Sequence, residues 1–147
     1  MPAKPSDFFT LNIGDVVTAA DMNAVIQGSK QASSSFYEGA DWRIGNTPQQ
    51  GINWIGASPK VKAVIIKLTG GYKDEFLQNG EKLKYHFKAN KGVVNKKEQA
   101  NQVLIQQQKK GYPILVFKRE KKDYSYFGRY TVFYQDKEYV LLERMRG

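Results

Sequence analysis

The sequence has no cysteine and one histidine, His86. Without thiols there are no disulfides, thiolate metal sites or cysteine nucleophiles, and one imidazole is too few for a histidine metal cluster and argues against a Ser-His-Asp centre. Apolar runs stay well short of the roughly 20 residues a membrane helix needs, and the opening MPAKPSDFF lacks the apolar core of a secretory signal. Neither a membrane span nor export is expected. Phosphate-binding P-loop and G-x-S-x-G signatures are absent, so those phosphoryl- and acyl-transfer sites are excluded. Acidic residues are scarce where basic ones gather. Residues 1–60 carry four Lys/Arg and five Asp/Glu, whereas 61–147 carry nineteen and nine, so the second part outweighs the overall net charge of +9. Such a field favours polyanions and salt-dependent binding, although a lysine-rich solvated surface gives the same count.

A chain of 147 residues, 41% of them hydrophobic, fits a single domain with a real core. Met1 to Phe9 reads as a short tail, and residues 10–147 as the domain. Thr18-Ala-Ala-Asp21 opens a short helix running to about Gln27 and ended by Gly28. The segment from Gly28 to Pro59 is rich in Ser, Gly, Gln, Asn and Pro yet holds Trp42 and Trp54, which suits a long functional loop with short strands, at least one indole packing into the core. Strands are expected near 61–68, 82–87, 112–120, 124–135 and 138–145. A helix interrupts them, capped by Asn95 with Glu98, striped by Ala100, Val103 and Leu104, and closed by Gly111. Short strands with a pair of helices predict an α+β fold, mainly β: a curved, barrel-like mixed sheet with flanking helices.

The run AVIIKLTGGYKDEF, Ala63 to Phe76, is the most informative stretch. A buried strand leads into Gly70-Gly71, where bare backbone can approach a ligand, and Tyr72 follows at once. With Asp74, Glu75 and, further on, Tyr85, the segment supplies two stacking faces and acceptors for a base edge, the parts that holding an extruded base requires.

At these residues the chain resembles the SRA (SET- and RING-associated) domain, a reader of modified cytosine, and the bacterial SRA-like modules of modification-dependent restriction systems. The blocks that carry the resemblance occur in family order: GGYKDEF, then NGEKLKYHF, NQVLIQQQ (Asn101 to Gln108), YPILVFKR (Tyr112 to Arg119), YFGRY (Tyr126 to Tyr130) and EYVLLERM. NIGDVVTAADMNAVIQGSKQASSS resembles the opening of the bacterial forms. Phe127 departs from the pattern, which has Asp before the glycine.

The resemblance implies an SRA/PUA-like fold that binds duplex DNA containing a modified cytosine, 5-methylcytosine or 5-hydroxymethylcytosine among them, and flips that base between Tyr72 and Tyr85. Thr69, Gly70 and Gly71 would supply backbone groups and room at the C5 substituent. A carboxylate, Asp74 or Glu75, would accept from the cytosine amino group and reject thymine. Ser29, Lys30, Gln31, Ser33, Ser34, Ser35 and Trp42 would meet DNA from the upstream loop, with Gln31 filling the gap left by the base, and Lys88, Lys91, Lys96 and Lys97 would face phosphate. No metal or cofactor is implied. The domain would read and not cut, in the bacterial cytoplasm or on the nucleoid, with an HNH-type or other nuclease domain fused or separate. Two rivals stand beside this: an RNA-binding PUA-like module, and a small metal-dependent nuclease working through Glu120 and Lys122 of an E-x-K pattern. A protein-binding scaffold is a third.

Overall fold

The apolar run Ala63–Leu68 is buried at every position, so both faces of that strand must be covered. The computed structural model describes residues 4–30, 44–47, 49–56, 60–69 and 74–145. In chain order these form a 3-10 helix at Pro5–Thr10, β1 (Val16–Val17), α1 (Ala19–Lys30), β2 (Ile44–Gly45), β3 (Ile52–Ile55), β4 (Ala63–Leu68), β5 (Glu75–Leu77), a 3-10 turn at Gln78–Gly80, β6 (Lys82–His86), β7 (Ala89–Asn90), β8 (Val93–Val94), α2 (Gln99–Ile105), α3 (Gln107–Lys110), β9 (Ile114–Glu120), β10 (Asp123–Gln135) and β11 (Tyr139–Arg144).

Among the described residues the main sheet runs β2-β3-β4-β9-β10-β11-β6-β5, with β1 on β10, while β7 and β8 pair by themselves. Its one parallel contact joins β4 to β9, with Val64 opposite Ile114 and Leu68 opposite Lys118. The sheet is mixed, as the short strands and paired helices predict, and mostly antiparallel, but its strand path does not return on itself. β10 is long enough to pair with β9 through its first part and with β11 through its second, with irregular register between Tyr126 and Gly128 and between Val132 and Tyr134. Such bulges bend a strand and strengthen its twist, which lets one strand serve both halves of a curved sheet.

Strand alternation sorts the apolar side chains into two cores. Val64, Ile66, Leu83, Ile114, Val116, Tyr130, Val132, Val140 and Leu142 pack with Ala100, Val103 and Leu104 of α2. On the other face Ile65, Leu115 and Phe117 meet Met22, Val25 and Ile26 of α1 together with Phe8. Phe8 lies edge-on to Phe117, ring centroids 5.8 Å apart, so the segment expected to be a tail contributes a buried ring to the second core. Trp54 packs against the first core, and its indole occupies the space beside Gly45, where a Cβ would come within 2.1 Å of Nε1.

The expected helix starts hold in part. Thr18 Oγ1 accepts the Asp21 N–H at 3.1 Å, as an N-cap should. Gly28 does not end α1, which runs on through Ser29 and Lys30. A helical glycine costs only about 1 kcal/mol against alanine, less than the burial of Met22, Val25 and Ile26 contributes. The second helix keeps its expected stripe and its stop at Gly111, left-handed at φ +78°, but breaks at Gln106 into α2 and α3.

Lys67 interrupts the apolar pattern of β4. Its side chain is buried, and desolvation lowers the ammonium pKa from 10.5 to about 8. Between those two values the folded chain binds fewer protons than the unfolded one, so this group makes stability rise with pH across that window. Below pH 8 its burial cost is present in full. Lys67→Met keeps the length of the side chain without its charge. Thermal unfolding of the variant should show a higher midpoint at pH 7 and a flatter profile from pH 8 to 10.5. A profile identical to that of the parent would assign the rise to other groups.

Candidate nucleic-acid interface

The β11–β6 ladder sets Tyr85 opposite Val140 and Leu83 opposite Leu142, and β5–β6 sets Phe76 opposite Leu83 and Glu75 opposite Lys84. Period-two alternation then turns Phe76, Leu83 and Tyr85 toward the first core and Glu75 and Lys84 away from it. Tyr85 is half-buried against that core. Its hydroxyl end reaches across the sheet mouth toward Gly51, where a Cβ would lie 3.9 Å away. Gly51 is itself fixed to β4, its carbonyl accepting the Lys67 N–H at 2.8 Å. Burial pushes the Tyr85 phenol above its ordinary pKa, and the nearby Asp74 carboxylate raises it further. The phenol is therefore a protonated donor throughout the neutral range.

Asp74 precedes β5 and turns back onto β6. Its Oδ1 accepts the His86 backbone N–H at 2.8 Å and lies 3.3 Å from His86 Nδ1, and both contacts fall on that one oxygen. Glu75, one residue on, is exposed on the opposite face with Lys84. Of the two carboxylates, only Asp74 stands beside Tyr85. Thr69 is exposed just beyond β4, while Gly70, Gly71 and Tyr72 lie outside the described residues.

The expected phosphate-facing lysines divide. Lys91 is exposed at the tip of the β7–β8 hairpin, in a Lys91-Gly92 turn with φ +51° and +80°. Lys88 pairs with Glu98 at 3.3 Å, and Lys96 donates to the Asp136 carbonyl at 3.2 Å while its Nζ sits 5.2 Å from the Phe87 ring centroid. Lys97 is exposed. Of the upstream loop, Ser29 and Lys30 belong to the last turn of α1, a correction to the loop reading that follows from Gly28 being helical. Gln31, Ser33, Ser34, Ser35 and Trp42 lie outside the described residues.

Two features escaped the sequence. Asn101, buried on α2, accepts the Lys88 N–H at 2.8 Å and donates to the carbonyls of Lys88 at 3.0 Å and Asn95 at 2.9 Å, closing the base of the segment that carries β7 and β8. The second is the β9–β10 hairpin. Because β4 and β9 are parallel, Lys118 stands beside Leu68, and Arg119, Lys121 and Lys122 follow beyond the paired end of β4. Arg119, Lys121 and Lys122 are exposed, and Lys121 holds a left-handed φ of +60° at the turn. The signal available was the density of basic residues in KREKK. Glu120 and Lys122 occupy that exposed tip, and among the described residues no three His, Asp or Glu side chains gather to hold a metal. No described helix is long and apolar enough to cross a membrane.

No protein-family model matches the chain, and a search of curated proteins finds no match. Solved structures do match. The SRA domain of SUVH5 in complex with hemi-methylated CG DNA is 20% identical, with a TM-score of 0.62 over 94% of this chain and 91% of that one. The same domain with methylated CHH DNA is 24% identical, with a TM-score of 0.52 over 68% and 76%. The DNA modification-dependent restriction endonuclease AspBHI is 13% identical, with a TM-score of 0.55 over 71% of this chain and 64% of that one. The chain therefore has the SRA fold: α+β, mostly strand, built on one large open mixed sheet.

Proposed function

We propose that this chain binds duplex DNA containing a modified cytosine and holds that base, swung out of the helix, at the mouth of the sheet. The observation that carries the reading is the placement of Asp74, held on β6 by the His86 N–H, near the half-buried Tyr85 ring, on a fold shared with domains solved on methylated DNA. Tyr85 gives one stacking face and Tyr72, which follows Gly70-Gly71 in the sequence, the other. Stacking on an aromatic side chain is worth roughly 1–3 kcal/mol per base, enough for two faces to offset the few kcal/mol of extrusion. Asp74 Oδ2, the oxygen that His86 leaves, accepts the cytosine amino group. Lys91 at one hairpin tip and Lys118, Arg119, Lys121 and Lys122 at another supply positive charge for phosphate on either side.

In this reading the domain recognises and does not cut. It is the recognition module of a modification-dependent restriction system whose nuclease lies on a fused or separate domain. The decisive measurement is binding to otherwise identical duplexes bearing cytosine, 5-methylcytosine, 5-hydroxymethylcytosine or its glucosylated form. At least one modified duplex should bind more tightly than the unmodified one, and equal affinities across the panel would remove the proposal. Tyr85→Leu keeps an apolar side chain in the core but loses the ring, and should weaken the preferred duplex about tenfold while leaving salt-sensitive association with unmodified DNA intact. Equal loss on all DNA would instead mark Tyr85 as a purely structural residue.

A further inference from the structure

We propose that a cavity of about 530 Å³ between the Leu11–Ile13 segment and the end of β11 binds a carboxylate carried on a short aliphatic body. Its polar wall holds two guanidinium groups. Arg129 is pinned there by donating to the Phe9 carbonyl at 2.7 Å, and Arg144 lies over the Tyr130 ring at 5.6 Å. Glu81 approaches Arg144 only at Nη1, 3.7 Å away. The buried Nε, on the other edge of that guanidinium, has no acceptor among the described residues. A buried donor left without a partner is destabilising, so the Arg144 guanidinium, which lines the cavity, gains from an acceptor brought to it from outside the chain.

Gly128 packs against that edge. It sits at the β10 bulge with φ +116°, and a Cβ there would lie 3.3 Å from Arg144 Nε and 3.2 Å from Ile13 Cδ1. Any side chain at this position would press on Arg144 and Ile13, two of the residues that line the cavity. The rim is apolar: Ile13 is 59% and Met145 41% exposed. Bare phosphate would leave those two surfaces in water, whereas an aliphatic acid covers them while its carboxylate meets the Arg144 and Arg129 guanidinium groups. The cavity also stands apart from Asp74 and Tyr85. Arg144 lies beside Glu81, at the start of β6, and Tyr85 is near the strand's far end, on the order of 10 Å away at about 3.3 Å per residue. Its occupant, a free acid or the carboxyl end of another polypeptide, can bind while DNA is held.

The test is a titration of the isotope-labelled chain, followed by NMR at the Arg144 Nε–H and the Gly128 N–H. The probes are N-acetyl-leucine, N-acetyl-leucinamide, inorganic phosphate and a tetrapeptide ending in leucine with a free carboxyl group. Saturable shifts with N-acetyl-leucine at millimolar concentration or below, with little response to its amide or to phosphate, are expected. Tighter binding of the tetrapeptide would point to a polypeptide end, and tighter binding of N-acetyl-leucine to a free acid. Equal response to acid and amide, equal response to phosphate, or no saturable response to either acid would overturn the proposal. Arg144→Lys should abolish the shifts at Gly128. Because Arg144 also contacts Tyr130, the exposed Arg129→Gln serves as the second variant, expected to weaken N-acetyl-leucine binding several-fold while leaving modified-duplex binding unchanged. Undiminished N-acetyl-leucine binding in Arg129→Gln would also overturn it.

Discussion

Asn101→Ala is expected to lower the unfolding free energy by about 2–4 kcal/mol, the sum of one lost acceptor and two lost donors at a buried amide. The consequence reaches beyond stability. These three bonds tie both backbone polar groups of Lys88 and the carbonyl of Asn95 to α2, so they fix the two ends of the segment bearing the β7–β8 hairpin and Lys91. Denaturant unfolding should show the loss as a lower midpoint, and modified-duplex affinity should fall although Asn101 itself is buried away from any ligand. Asn101→Asp keeps the acceptor for Lys88 N–H but sets a buried carboxylate oxygen against the carbonyls of Lys88 and Asn95, so it should destabilise at least as much as the alanine variant. A change of less than about 0.5 kcal/mol in Asn101→Ala would class the site with ordinary surface positions and end this account of the hairpin.

Asp74→Asn should cost roughly 2–3 kcal/mol of preference for the modified-cytosine duplex, a 30- to 150-fold change, because a charge-assisted acceptor is replaced by an amide. The asparagine oxygen can still accept the His86 N–H, so the fold is kept. Its NH2 group then occupies the Oδ2 position and faces the cytosine amino group, donor against donor. A duplex with 5-hydroxymethyluracil at the same site offers a carbonyl there and should gain relative to the cytosine form. Glu75→Gln, on the outward face with Lys84, should change the same ratio less than about twofold. If Glu75→Gln abolishes discrimination and Asp74→Asn leaves it, the carboxylates are assigned the wrong way round.

Local residue patterns made much of this chain legible. The Val/Ile run at 63–68 was readable as a buried strand because every position in it is apolar or, at Lys67, flanked by apolar residues. The strands at 82–86, 114–120, 123–135 and 139–144 follow aromatic and β-branched density, and Gly111 ended a helix because only a left-handed residue fits there. Helix ends depending on distant partners were not legible. Asn95 and Glu98 look like a cap, yet Asn95 Oδ1 accepts the Lys97 N–H and Glu98 pairs with Lys88. Gln107 resembles its exposed neighbours. It is buried because its Nε2 donates to the Tyr112 carbonyl while its Oε1 accepts the Val132 N–H and the Thr131 hydroxyl, partners up to 25 residues away.

The order of short blocks, the Gly70-Gly71-Tyr72 run among them, was enough to name the fold, since each block is a property of neighbours in sequence. Which acid stands beside Tyr85 was decided by β5–β6 register, because a shift of one residue turns a side chain to the opposite face. Which lysines already have partners was decided by pairing across the sheet and with α2: Lys88 and Lys96 are engaged by Glu98, Asp136 and Phe87, while the parallel β4–β9 contact brings Lys118 beside Leu68. Composition fixes how much charge a chain carries, and only the tertiary pairing of strands far apart in sequence determines where that charge, and the one carboxylate beside a buried ring, comes to rest.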